Sequence, residues 1–86
     1  MVTAEDFRSA LIQIFKDSQQ KGITFIDVRS GDLHKRLGDY PGTNHRMPIC
    51  CSVMREFCDT EDITVTSPPK GDGANLVIRY YIPRNI

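Results

Sequence analysis

The side chains with the widest chemical reach lie between Arg29 and Cys58, a span that holds both histidines and all three cysteines. Metal sites built on two close ligand pairs use C-x2–4-C or H-x3–5-H spacing. Here the order from His45 through Cys50 and Cys51 to Cys58 is H-x4-C-C-x6-C, and adjacent cysteines on a helix point about 100 degrees apart. The spacing argues against a metal, and Cys50, in the middle of an apolar arc, reads as a small core residue. Cys51 near a helix start, with His45 upstream, has the ingredients of an activated thiolate. No oxyanion motif or third orienting group accompanies the pair, so an enzyme is not expected. An odd number of cysteines, two of them adjacent, fits reduced thiols better than a disulfide framework. K-G-D-G-A around Lys70 lacks the order of a phosphate-binding loop and reads as a hairpin loop. No cofactor is expected.

A second set of residues suits recognition rather than catalysis. An amide pairs doubly with adenine and a guanidinium with guanine, which gives Asn44 and Arg55 a base-reading chemistry. His45 and Ser52 could add phosphate or base contacts. Arg29, Lys35, Arg36 and Arg46 would neutralise phosphates, and Lys70 could reach backbone or minor groove. The plain alternative is that all of these are solvated polar residues on a small domain.

Those residues need a scaffold. Thr3 can cap a first helix from Ala4, with Asp6 completing a weak capping box and Val2 and Phe7 forming a staple. Phe7, Ala10, Leu11, Ile14 and Phe15 make one apolar stripe; Gly22 is the natural stop. The polar face, with Arg8, Gln13, Asp17 and Gln20, reads as solvated surface. Residues 23–28 predict a short strand. Ser30 is the expected cap of a second helix, with Leu33 and Leu37 inward, His34, Lys35 and Arg36 exposed, and Gly38 closing it. A turn at 39–43 leads to a third helix over 44–57. Pro48 must lie in its first turn, so Asn44 or a residue just after it is the expected cap. Ile49, Cys50, Val53, Met54 and Phe57 share its inner arc; Ser52, Arg55 and Glu56 lie outside; Cys51 and Cys58 stand at the boundary. Residues 63–66 alternate as a half-buried strand should, and 75–82 alternate through Leu76, Ile78, Tyr80 and Ile82. The loop between them, S-P-P-K-G-D-G-A, makes a long antiparallel hairpin. Of Tyr80 and Tyr81, one is expected in the core and the other outside.

The order helix, strand, helix, helix, strand, wing, strand resembles the winged helix-turn-helix superfamily. The residues carrying it are S30-G-D-L-H-K-R-L-G38, N44-H-R-M-P-I-C-C-S-V-M-R-E-F57 and the hairpin I63-T-V-T-S-P-P-K-G-D-G-A-N-L-V-I-R-Y80. The phrase R-S-G-D-L-H-K-R-L-G-D-Y-P-G-T-N-H-R-M-P also resembles small bacterial proteins. The resemblance implies an α+β fold with three helices and a small three-stranded antiparallel sheet, a recognition helix at 44–57 and a wing around Lys70. It also implies a non-enzymatic DNA-binding module, a transcriptional regulator or an accessory to DNA-processing machinery. Winged helices also serve as protein-interaction modules, the alternative here.

Bulk properties set the outer bounds. The 86 residues make a single domain over 1–86, without a long apolar run or signal-peptide pattern. A cytoplasmic protein without membrane contact is expected. Lys+Arg and Asp+Glu are 11 each, so whole-chain charge does not favour a polyanion. Its distribution is uneven: five bases stand against Asp32 and Asp39 from Arg29 to Arg55, and four acids crowd 56–62.

Overall fold

A computed structural model describes residues 2–38, 46–69 and 73–84. Six elements follow in the order α1 (Ala4–Gln20), β1 (Phe25–Arg29), α2 (Ser30–Leu37), α3 (Met47–Glu56), β2 (Ile63–Thr66) and β3 (Val77–Tyr81). The strands form one antiparallel sheet in the order β1-β3-β2. The fold is α+β, with three helices and a small three-stranded sheet, as expected.

α1 forms where its signals predict. Thr3 Oγ1 accepts the Asp6 amide while the Asp6 carboxylate accepts the Thr3 amide, so the capping box is complete. Phe7, Leu11 and Phe15 are fully buried, Ala10 nearly so, and the stripe continues to Ser18. Gly22 and Gly38 take positive φ, 71° and 89°, after α1 and α2. Against this stripe the sheet presents Val28, Leu76, Ile78, Tyr80 and Ile82, all buried. Phe15 binds the layers together, edge-on to Tyr80 at 5.0 Å and to Phe57 at 6.0 Å. Full burial of side chains of this size contributes roughly 1.5–3 kcal/mol each. Tyr80 is the core tyrosine, its hydroxyl donating to the Met54 carbonyl at 2.7 Å; Tyr81 faces out.

Several expectations are revised. Ser30 does not cap α2; it is the first helical residue, and its hydroxyl donates to the Gly73 carbonyl at 2.5 Å. His34 is fully buried rather than exposed. α3 is shorter than 44–57; its N-cap is Arg46, which makes no side-chain capping bond, and Pro48 sits in the first turn as its missing amide hydrogen requires. Cys51 is fully buried, not marginal. β2 does not alternate: all four residues are exposed. It is an edge strand held through Ile63, Thr64 and Thr66, with a bulge at Val65. Arg8 is not plain surface, because its guanidinium grips Glu5 and, at 2.7 Å, Glu56 of α3.

One glycine is required by close approach. Gly31 opens α2 against the segment before β3, its amide donating to the Ala74 carbonyl at 3.0 Å. A Cβ there would stand 3.0 Å from that oxygen and 3.1 Å from the Ala74 Cβ.

Candidate functional site

The corner between α2 and α3 is built around His34. Its Nδ1 lies 3.1 Å from the Gly38 carbonyl, and its Nε2 accepts the Arg46 amide at 2.7 Å. Those partners select the neutral ring with its hydrogen on Nδ1, the nitrogen that faces a carbonyl. Gly38 and Arg46 are the described residues on either side of 39–45, so one ring ties both ends of that connection. Phe7 meets the ring edge-on at 5.1 Å and joins the corner to α1. A helical wheel carries the signal that would have found it. His34 falls one turn after Ser30, at the edge of the inward arc that runs through Ser30, Leu37 and Leu33, but its polarity hid the position.

The same corner receives the base of the β2–β3 loop. The Gly73 carbonyl accepts Ser30 Oγ and, at 3.4 Å, Cys51 Sγ; the Leu76 carbonyl accepts the Ser30 amide at 2.8 Å. The loop is therefore anchored on both helices just before it returns to β3. Cys50 Sγ contacts the Ser30 carbonyl at 3.5 Å, and burial pushes its thiol up to about 12. Cys58, half-buried, is also shifted upward, first by burial and then by Asp62. Cys50 and Cys58 are thus shifted away from the low-pKa thiolate that nucleophilic chemistry needs, and Cys51 is fully buried. Among the described residues no cluster of three or more His, Cys, Asp or Glu could hold a metal.

Of the nine residues selected by sequence, the six that are described separate in space. Asn44, His45 and Lys70 lie outside the described residues. On α3, Ser52 and Arg55 are exposed together with Pro48, and Arg46 at the N-cap is half-buried. Glu56 shares that outer face, but its carboxylate accepts Arg8 Nε at 2.7 Å and Nη2 at 3.1 Å, which holds it below the usual carboxylate range. On α2, Lys35 and Arg36 are both exposed, about 100 degrees apart around the helix. Arg36 lines, with Arg29, a shallow groove of about 430 Å³ between α1, β1 and α2; Lys35 does not line it. Ile14, Ile26, Val28 and Leu33 supply its apolar wall, and no α3 residue lines it. Arg29 is committed to Asp32 at 3.3 Å and to Asn75 at 2.8 Å.

Sequence reasoning passed over a densely connected cation, Arg84. Arg84 donates to the Phe57 carbonyl at 2.7 Å and the Tyr81 carbonyl at 3.2 Å, pairs with Asp62 at 2.9 Å, and lies over the Phe15 and Tyr80 rings. The Asp62 side chain is 1% exposed and also accepts the amides of Asp59 and Tyr81. This cluster closes the end of the sheet and is structural. Its partners are far apart in sequence, and no local spacing announces them.

Among the described residues the exposed large apolar side chains are all on or beside the sheet: Ile23, Phe25, Ile63, Val65 and Tyr81. Arg79 lies 4.5 Å over the Phe25 ring and binds Asp27 through two bonds of 2.8 and 3.2 Å, which holds the Asp27 carboxyl below its usual range. No helix among the described residues is long and apolar enough to cross a membrane. Comparison with protein-family models, with curated proteins and with solved structures gave no match to this chain.

Proposed function

We propose that this chain is a winged-helix nucleic-acid-binding module without catalytic activity, acting in the cytoplasm and contacting DNA through the outer side of α2 and α3. One observation carries the reading. Each of these helices contains a single acid, Asp32 or Glu56, and each is tied to an arginine, while Lys35, Ser52 and Arg55 stay exposed. A duplex approaching this side meets exposed cations on two helices whose own acids are paired with arginines. Pro48 in the first turn and Ser52 at mid-helix leave the outer face of α3 low, so a groove wall can come close. Arg46 and Arg55 lie at opposite ends of α3, about 13 Å apart along its axis. With few cations, this favours weak, salt-sensitive binding over high-affinity sequence reading, as in an accessory to DNA-processing machinery or a regulator acting with partners.

The test is fluorescence anisotropy of labelled random duplex and single strands at low and moderate salt, with Lys35→Ala/Arg55→Ala alongside. Binding that falls steeply with salt, with a slope shallower by about one per phosphate-contacting cation removed, supports the proposal. Flat traces at micromolar protein and low salt overturn it.

A protein-interaction role has its own support, because the exposed apolar side chains gather on the sheet and not on the helices.

A further inference from the structure

β1 is an outer strand of the sheet. Its register with β3 runs Phe25↔Tyr81 through Arg29↔Val77. Just beyond its two ends, the Thr24 carbonyl accepts the Ile82 amide and the Ser30 amide donates to the Leu76 carbonyl. Hydrogen-bonded pairs alternate along an antiparallel ladder, so Ile26 and Val28 turn their backbone groups toward β3. Phe25, Asp27 and Arg29 turn theirs away. Among the described residues no backbone group bonds to these three amides and carbonyls from the far side. Here the edge is bare.

The 430 Å³ groove lies along this edge, with Ile26, Asp27, Val28 and Arg29 as one wall and Ile14 of α1 and Leu33 of α2 as the other. Its rim carries four charges, of which three are committed. Asp27 is held by Arg79, and Asp32 and Arg29 hold each other. Arg36 alone has no ion-pair or hydrogen-bond partner among the described residues. The opposite face of the edge offers the Phe25 ring, 44% exposed. A strand added here would meet apolar surface on both faces, backbone partners between them and one uncompensated cation.

We propose that the free edge of β1 is a strand-addition site for an extended, acidic polypeptide segment of a partner protein. Its backbone continues the ladder at Phe25, Asp27 and Arg29. An apolar side chain enters the groove between Ile14 and Leu33, and a carboxylate on the same face pairs with Arg36. Main-chain bonds supply affinity and the pocket supplies choice, the division of labour in other strand-addition sites. A second copy of this chain fits less well. Antiparallel pairing of all five β1 residues with their own copy sets Asp27 directly against Asp27, and like charges so placed repel. This site shares α2 with the nucleic-acid reading but uses none of Lys35, Ser52 and Arg55, the exposed residues on which that reading rests.

The test is selection of phage-displayed random nonapeptides on the intact chain, followed by amide hydrogen exchange with the selected peptides. The expected result is a set of peptides carrying an apolar residue and an acid on alternate positions, with exchange slowed at Phe25, Asp27 and Arg29. Arg36→Glu is expected to weaken their binding about tenfold or more, with Arg36→Gln between, because a like charge now faces the carboxylate. Arg36 is exposed, and unchanged exchange in the core of either variant verifies the fold. Failure to select any peptide, selection of basic peptides, insensitivity to Arg36→Glu, or protection confined to α3 overturns the proposal. Concentration-dependent self-protection of the same three amides without peptide assigns the edge to a second copy and overturns it as well.

Discussion

The two sides of α2 differ in what they leave unfinished. Toward α3 the polar groups are closed inward. His34 uses both ring nitrogens, Ser30 its hydroxyl and amide, and Gly31 its amide, all on backbone partners. What reaches solvent there is a sparse set of polar and cationic side chains. Toward β1 the reverse holds, with a row of unused backbone groups, an apolar wall and the uncompensated Arg36. A closed corner with cations outside suits a polyanion, which needs a rigid platform and charge. An open edge suits a polypeptide, which can supply the missing hydrogen bonds. One short helix separates two chemistries because successive residues diverge by about 100 degrees, sending Lys35 one way and Arg36 the other.

The comparison breaks first if the closed parts do not carry the stability. Arg84→Met has the largest expected effect. It leaves the Asp62 carboxylate, 1% exposed, without its cation and strips the Phe57 carbonyl of a donor, at a cost of about 3–5 kcal/mol. The same urea titration on Phe25→Thr, on the open face, is expected to move stability by no more than about 0.5 kcal/mol. His34→Phe comes next. It preserves ring volume and the contact with Phe7 but leaves the Gly38 carbonyl and Arg46 amide without the ring nitrogens, a loss of about 2–3 kcal/mol. Its discriminating sign is faster amide exchange at Arg46 and Met47 than in the rest of α3. Gly31→Ala should cost about 1–2 kcal/mol by forcing the α2 start away from Ala74.

The smallest effect is electrostatic. Asp27 and Glu56 are held below the usual carboxylate range by Arg79 and Arg8. A depressed folded-state value means their stabilisation is fully present at neutral pH and is lost as pH falls through that value. Both pairs are largely solvent-accessible, so the slope is shallow. Asp27→Asn and Glu56→Gln should each flatten the acid limb of stability against pH. An unchanged acid limb in both would remove these pairs from the account.

Much of the scaffold is legible in the residues. The capping box at Thr3, the stripe from Phe7 to Phe15, Gly22, the placement of Pro48 and the alternation from Leu76 to Ile82 each follow from a local rule that tertiary packing did not override. What escaped has a common cause. His34 is polar yet inward, Ser30 bonds across the fold rather than along its helix, and Arg84 and Asp62 meet through distant segments. β2 reads as half-buried because alternation cannot say whether another layer covers it. The site was harder to read than the fold. Residue types identified Lys35, Ser52 and Arg55 as exposed polar positions, but the division between Lys35 and Arg36 depends on which elements flank α2, and the bare edge of β1 depends on sheet order.

The most direct test is an amide-resolved NMR titration of the chain with a random 20-base-pair duplex at low salt, repeated at high salt. The account predicts shifts at Lys35, Ser52 and Arg55 that vanish with salt, while the amides of Phe25, Asp27 and Arg29 stay in place and still respond to an acidic peptide. Shifts confined to the β1 edge, or none at any residue under low salt, would contradict it.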